Sequence, residues 1–270
     1  MYAHTIAIVF AILVLISASI HDVRSREVPD YHWMLLCGAA VAMAFYEYEL
    51  GCAFLLAAGY ALLAAYMFLP RLVGVLGLLV LAVACVFLAA PYILFSTASG
   101  LVTLSMSIII LALYHLRVLR GGADAKALIS LSMLFPLYPE VGHILWDPVY
   151  PEAYIFNPVF SILFIALLLS FLSVNRIMWI NHMNGDCGFS EYRIGLEEAR
   201  NSFVWPREDI VDGHRVRIKV TDDVEKVWNR LEEAGVDEVW VTPMIPFVLP
   251  LTIAFALAMI LGSPLFLLVI

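Results

Sequence analysis

The sequence predicts an all-α polytopic membrane protein with about eight transmembrane helices and a small α/β cytoplasmic domain before the last helix. Three observations carry that fold class. Of 270 residues, 63% are hydrophobic and 14% charged, with mean hydropathy +0.93; soluble domains average roughly 45–50% apolar and about 25% charged. Eight separate apolar runs punctuate the chain. All 15 Lys and Arg residues fall in or beside alternate connections between those runs. This composition excludes an ordinary globular enzyme, a disordered chain and a disulfide-stapled module. The formal charge of -8 argues against nucleic acid as a partner, because phosphate binding needs a basic surface.

The apolar runs cover approximately 4–20, 31–46, 52–69, 72–95, 101–116, 125–138, 154–180 and 243–270. The first is bounded by HDVRSRE and not by a small-residue cleavage site, so it is expected to be a retained span. The sixth is the weak one: at 1.5 Å per residue it falls short of a hydrocarbon core of about 30 Å. It is expected to run on past Pro136 and Pro139 through VGHILW, or to sit obliquely. Pro243, Pro246 and Pro250 open the eighth run and are expected to kink it.

Charge sets the orientation. Arg24, Arg26, Arg71, Arg117, Arg120, Lys126 and the nine cations from Arg176 to Arg230 share one side if all eight runs cross. The opposite connections hold Glu47, Glu49, Glu140, Asp147 and Glu152 and no cation. The positive-inside rule then puts both termini outside and the basic connections in the cytoplasm. The expected division is 1–180 for helices one to seven, 181–242 for a cytoplasmic α/β domain, and 243–270 for the last helix. Within the domain, HRVRIKV (214–220) alternates like a half-buried strand. A helix follows, capped by Thr221 or Asp222, with Val224, Val227, Trp228 and Leu231 on one face and Gly235 as its stop. DEVWV (237–241) reads as a second strand.

Cys37, Cys52 and Cys85 lie in apolar runs, where a thiol is a small hydrophobe; Cys187 lies in polar sequence. With no CxxC pair, neither a zinc knuckle nor a disulfide framework is indicated, and no metal or cofactor is expected. HExxH and GxSxG are also absent from the sequence, which removes the zinc-protease and nucleophile-elbow readings.

Two acids remain. Asp22 closes the first run in SIHDVRSREVPD, and Asp124 opens the sixth in LRGGADAKAL; both fall on the cytoplasmic side. Ionisable groups at membrane depth are costly and mark functional sites, and two carboxylates that meet can share a proton and activate water. Helix ends predict Asp124 as the ionised partner and Asp22 as the protonated one. Bland roles compete: Asp124 as a helix cap, Asp22 paired with Arg26 at i+4, and Asp30 as cap of the second helix. Gly121 and Gly122 would permit positive φ and close approach of a substrate backbone. Lys126, two positions from Asp124, is expected to snorkel to the interface.

Together these segments resemble the archaeal preflagellin peptidases, within the type IV prepilin peptidase group of membrane aspartyl proteases. The resemblance rests on Asp22 in D-x-R-x-R-E-(V/I)-x-D, on Asp124 and Lys126 in GGADAK, and on EVWVTPMIPFVLPLTIAF (238–255). It implies removal of a short basic leader from archaellin or type IV pilin-like precursors at the cytoplasmic face, with Asp22 and Asp124 as the catalytic pair. Gly121, Gly122, Ala123 and Lys126 complete the motif. Two departures stand out. The family's GxGD has Ala123 in place of its second glycine, and eight spans imply an extra helical hairpin beside a six-helix core. A proton- or cation-coupled transporter using the same two acids is the alternative; midplane acids in matched repeats would favour it. The lipid bilayer is a partner under either reading, and the oligomeric state is not encoded in any recognisable motif.

Overall fold

The computed structural model describes residues 2–69, 74–119, 121–139, 157–184, 191–219, 223–244 and 246–264. Arg71, Arg120, Glu140, Asp147, Glu152 and Cys187, and the VGHILW continuation of the sixth run, lie outside them. The chain divides into two compact units, residues 1–167 with 247–270, and residues 168–246.

The first unit is helical. It holds α1 (Tyr2–Ser25), α2 (Tyr31–Glu47), α3 (Leu50–Phe68), α4 (Val75–Phe95), α5 (Ser99–His115), α6 (Gly122–Leu134), the start of α7 (Pro158–Asn184), and α10 (Val248–Leu261). Among the described residues, α1, α3, α4 and α7 are long and apolar enough to cross a membrane; α5 and α10 are shorter apolar helices. Their outer faces carry exposed Leu, Ile and Val side chains such as Leu13, Ile20, Leu78 and Val86, as a lipid-facing surface should.

Lipid tails are as apolar as leucine, so such helices associate by close packing and not by exclusion of water. α1 shows how. Ala7, Ala11 and Ala18 are buried on it, and Ala254 and Ala258 are buried on α10, so the two helices lie close. Their seam is pinned by polar contacts: Ser19 Oγ lies 2.7 Å from Thr252 Oγ1, and Thr252 Oγ1 lies 3.2 Å from the Leu15 carbonyl oxygen. A Cβ built on Gly100 would stand 3.0 Å from the Leu88 carbonyl carbon, which is why α5 needs a glycine where it meets α4.

At the centre is α6. Only 13 residues long, it is buried at every position from Ala127 to Leu134. It ends at Leu134, short of Pro136, and packs on α2 and α5. Of the three prolines expected to kink the eighth run, only Pro250 lies within α10. Pro250 occupies the third position of α10, in the first turn, where a missing N–H leaves no helical bond unmade.

The second unit combines a three-stranded antiparallel sheet with short helices. Its strand order is β1 (Tyr192–Gly195), β5 (Glu238–Pro243), β2 (Val204–Pro206). β3 (Glu208–Val211) and β4 (His214–Arg217) form a separate hairpin. Asp212 and Gly213 turn that hairpin with φ of 52° and 75°, the Asp-Gly signature of a type I′ turn. α9 (Val224–Glu233) buries Val227, Trp228 and Leu231, which join Ala199 of α8 (Leu196–Arg200) and Val204, Val239 and Val241 in one core.

The expected helix and last strand are present, and Gly235 stops α9 with φ 66°. Its cap position is Asp223; Thr221 and Asp222 lie outside the described residues. The alternating 214–220 segment departs from expectation. Its strand ends at Arg217 and is exposed at all four positions, because its partner is β3 in a two-stranded hairpin outside the core sheet.

Candidate active site

Asp22 sits in the last turn of α1 with 8% of its surface exposed. The helix ends just beyond it, where Arg26 takes φ 57°. Arg26 donates twice to the carbonyl oxygen of Asp22, from its amide at 3.1 Å and from Nη1 at 3.3 Å. These bonds go to the main chain and close the helix, while the Arg26 charge also acts on the Asp22 carboxyl, the i+4 relation foreseen from sequence. The Asp22 carboxylate is engaged elsewhere: Oδ2 accepts a 3.0 Å hydrogen bond from the amide of Val248, the first residue of α10. The first amides of a helix have no partner inside it and carry the positive end of its dipole. Asp22 thus stands at the end of one helix and the start of another. The two helix ends no longer distinguish it from Asp124 as holder of a shared proton.

Asp124 is the third residue of α6, half-buried, and its carboxylate folds back over the preceding turn. The cap position belongs to Gly121, whose φ of -81° and ψ of 119° are open to any residue. Gly121 matters for space and not for conformational freedom: a Cβ there would stand 2.7 Å from Asp124 Cγ, so the Asp124 carboxylate would have to turn aside. Gly122 and Ala123 are ordinary members of the first turn. The alanine in place of the second family glycine therefore carries no backbone strain.

The fold brings Asp22 and Asp124 near enough for their charges to repel one another. It does not bring Lys126 to either. Lys126 Nζ instead donates to both oxygens of Asp30, at 2.6 and 2.8 Å, and lies 5.4 Å from the Phe68 ring centroid. Asp30 does stand at the cap position of α2, but its side chain makes no capping hydrogen bond. The pair is partly solvated, with side chains 26% and 42% exposed, so it adds on the order of 1 kcal/mol or less to stability.

Two features were not legible in the sequence. One is the Val248 amide on Asp22, a partner 226 positions away; its only signal was the run 238–255, which carried part of the family resemblance. The other is a bracket on the α1–α2 turn. His32 is buried, its Nδ1 donates to the Pro29 carbonyl at 3.0 Å, and its Nε2 lies 3.0 Å from Ser17 Oγ. His21, beside Asp22, lies edge-on to both Tyr31 and His32. Apart from these groups, a cavity of about 590 Å³ opens along α3, α4, α5 and α6, with Tyr66, Leu111, Tyr114, His115 and Lys126 on its wall.

Comparison with known proteins gives this geometry a setting. Residues 189–263 match the family model described as Archaeal Peptidase A24 C-terminus Type II. The chain is 25% identical over 258 residues to the preflagellin peptidase of Methanocaldococcus jannaschii, covering 92% of this chain and 91% of that one. It is 24% identical over 264 residues to the preflagellin peptidase of Methanococcus maripaludis, covering 92% of each. The chain is a peptidase, similar to the preflagellin peptidases over some nine-tenths of its length.

Proposed function

We propose that this peptidase is an aspartic endopeptidase that removes the short basic leader of archaellin or type IV pilin-like precursors at the cytoplasmic face of the cell membrane. What supports the reading is the placement of Asp22 in the last turn of α1 and Asp124 in the first turn of α6, two carboxylates 102 positions apart in sequence that stand within Coulombic reach of one another.

The chemistry needs one proton between them. The ionised carboxylate takes a proton from water as the water oxygen bonds to the scissile carbonyl carbon. The protonated carboxyl donates to the carbonyl oxygen. Collapse of the tetrahedral intermediate breaks the C–N bond: one of its two hydroxyls returns a proton to the carboxylate that had donated to the carbonyl oxygen, and the proton first taken from water passes to the leaving amine. The Val248 amide holds one Asp22 oxygen in place, and the other is the one assigned to this work.

Eight crossings complete the reading: α1 to α7 and α10, with residues 181–242 in the cytoplasm and both termini outside. The distribution of cations supports that orientation, and the short helices α2, α5, α6 and α10 are then completed by their neighbours. No cofactor is involved; precursor and lipid are the partners.

The test is cleavage of a preflagellin by the purified full chain in proteoliposomes. Asp22→Asn and Asp124→Asn should each abolish leader removal and still purify as monodisperse protein. Substantial cleavage by both would remove the assignment.

A further inference from the structure

Asp30 and Lys126 are the remaining charged pair beside the two carboxylates, and the chemistry above does not use them. Asp30 belongs to the turn between α1 and α2, eight residues after Asp22; Lys126 lies two residues after Asp124. The bond between them therefore joins the segment carrying one carboxylate to the segment carrying the other. On a regular helix, positions i and i+2 point to different sides. Lys126 can hold Asp30 while Asp124, two positions before it, faces another side of α6.

Each end of this tie is anchored. The turn is bracketed by His32, which bonds the Pro29 carbonyl and contacts Ser17 of α1. On α6, the Lys126 carbonyl accepts from Ser130 Oγ at 2.7 Å, and that hydroxyl lies 3.4 Å from Cys37 Sγ of α2. The tie also opposes a definite force, since the two carboxylates repel one another whenever both are charged. Asp30 forgoes the helix cap its position offers, a favoured use of aspartate, and reaches instead across 96 positions of sequence.

We infer that Asp30 and Lys126 are positioning residues, a bidentate ion-pair clamp that sets the spacing of Asp22 and Asp124. The inference rests on the proposed aspartic mechanism. Neither residue contacts substrate; the pair acts on the turnover step through geometry.

The experiment measures kcat and KM separately, for a preflagellin in proteoliposomes, with full-length Asp30→Asn, Lys126→Gln, Lys126→Arg and the charge-exchanged Asp30→Lys/Lys126→Asp protein. Misplacement of catalytic groups by about 1 Å can cost on the order of 100-fold, so each neutralising variant should lose at least about 10-fold in kcat. KM should stay within about two-fold. Lys126→Arg keeps the pair and should stay within about five-fold of the parent. The exchanged protein should recover at least about 10-fold over either single variant, a rescue that a role in folding or substrate contact would not give. Unchanged kcat in both neutralising variants overturns the clamp, as does a monodisperse exchanged protein no better than the single variants. A rise in KM at constant kcat also overturns it, by showing direct substrate contact. Asp22→Asn, run alongside, separates the two ideas: an inactive Asp22→Asn with a fully active Asp30→Asn rejects the clamp alone, whereas an active Asp22→Asn rejects the mechanism beneath it.

Discussion

Asp22, at the end of the first helix, accepts a hydrogen bond from the backbone amide of Val248, at the start of the last. The bond ties the end of α1 to the start of α10 at the proposed active site. It also gives the matched C-terminal segment a role in positioning, since α10 lies within the residues similar to the archaeal peptidase family.

Thr252→Val tests that arrangement without touching the carboxylate. Thr252 Oγ1 contacts Ser19 Oγ, the Leu15 carbonyl and the Val248 carbonyl at 2.7, 3.2 and 2.8 Å. Valine keeps the shape and removes the hydroxyl. Stability should fall by about 1–2 kcal/mol, from the lost bonds and the unsatisfied partner, read by chemical unfolding in detergent. Cleavage should fall with it as the first turn of α10 loosens; unchanged stability would show that the seam holds without this network.

Gly121→Ala should disable the enzyme by collision. Its new methyl group would meet the Asp124 carboxylate and drive that side chain out of its present rotamer. Cleavage is expected to drop at least about 10-fold, in line with displacement of a reacting group, with little change in thermal stability. Full activity would mean that the carboxylate works from another rotamer.

Ala123→Gly restores the family's second glycine and should gain nothing. Ala123 is inside the first turn of α6 with ordinary helical backbone. Glycine there costs about 1 kcal/mol or less in helix propensity. Equal or lower activity is expected; a several-fold increase would assign the family glycine a task that this backbone does not reveal.

The second unit carries a pH prediction of known sign. Arg230 donates to both oxygens of Asp209, at 2.8 and 2.6 Å, and this hydrogen-bonded pairing holds the carboxyl below the usual carboxylate range despite its burial. A depressed folded-state value means that the unfolded chain binds the proton more readily. The stabilisation is present in full above the unfolded value of about 3.9 and is lost as pH falls through the lower folded value. Hydrogen exchange of full-length protein should show β3 and α9 losing protection below about pH 4, and Asp209→Asn should remove that dependence. Retention of the same acid transition in Asp209→Asn would assign it to another group.

The sequence made some of this legible because its signals were local. Hydropathy marked α1 to α7 and α10, and the periodicity of Val224, Val227, Trp228 and Leu231 marked α9. Asp22 and Asp124 were legible because charge next to an apolar run is conspicuous. Strands β1, β2 and β3 were not, for they are three or four residues long and take their stability from pairing with distant partners. Lys126 shows the same limit within the site. Its spacing from Asp124 predicted a side chain that snorkels to the interface, and only the packing of α6 on α2 reveals Asp30 as its partner.

The enclosure of α6 has a consequence for how this protein can vary. From Ala127 to Leu134 the helix offers no position where a side chain can grow or shrink at no cost, because interiors register even one methylene. Asp124 is mounted on that helix. The part of α6 that follows Asp124 is thereby held to its present shape by the helices around it, whereas the exposed Leu, Ile and Val side chains of the outer helices have room to exchange.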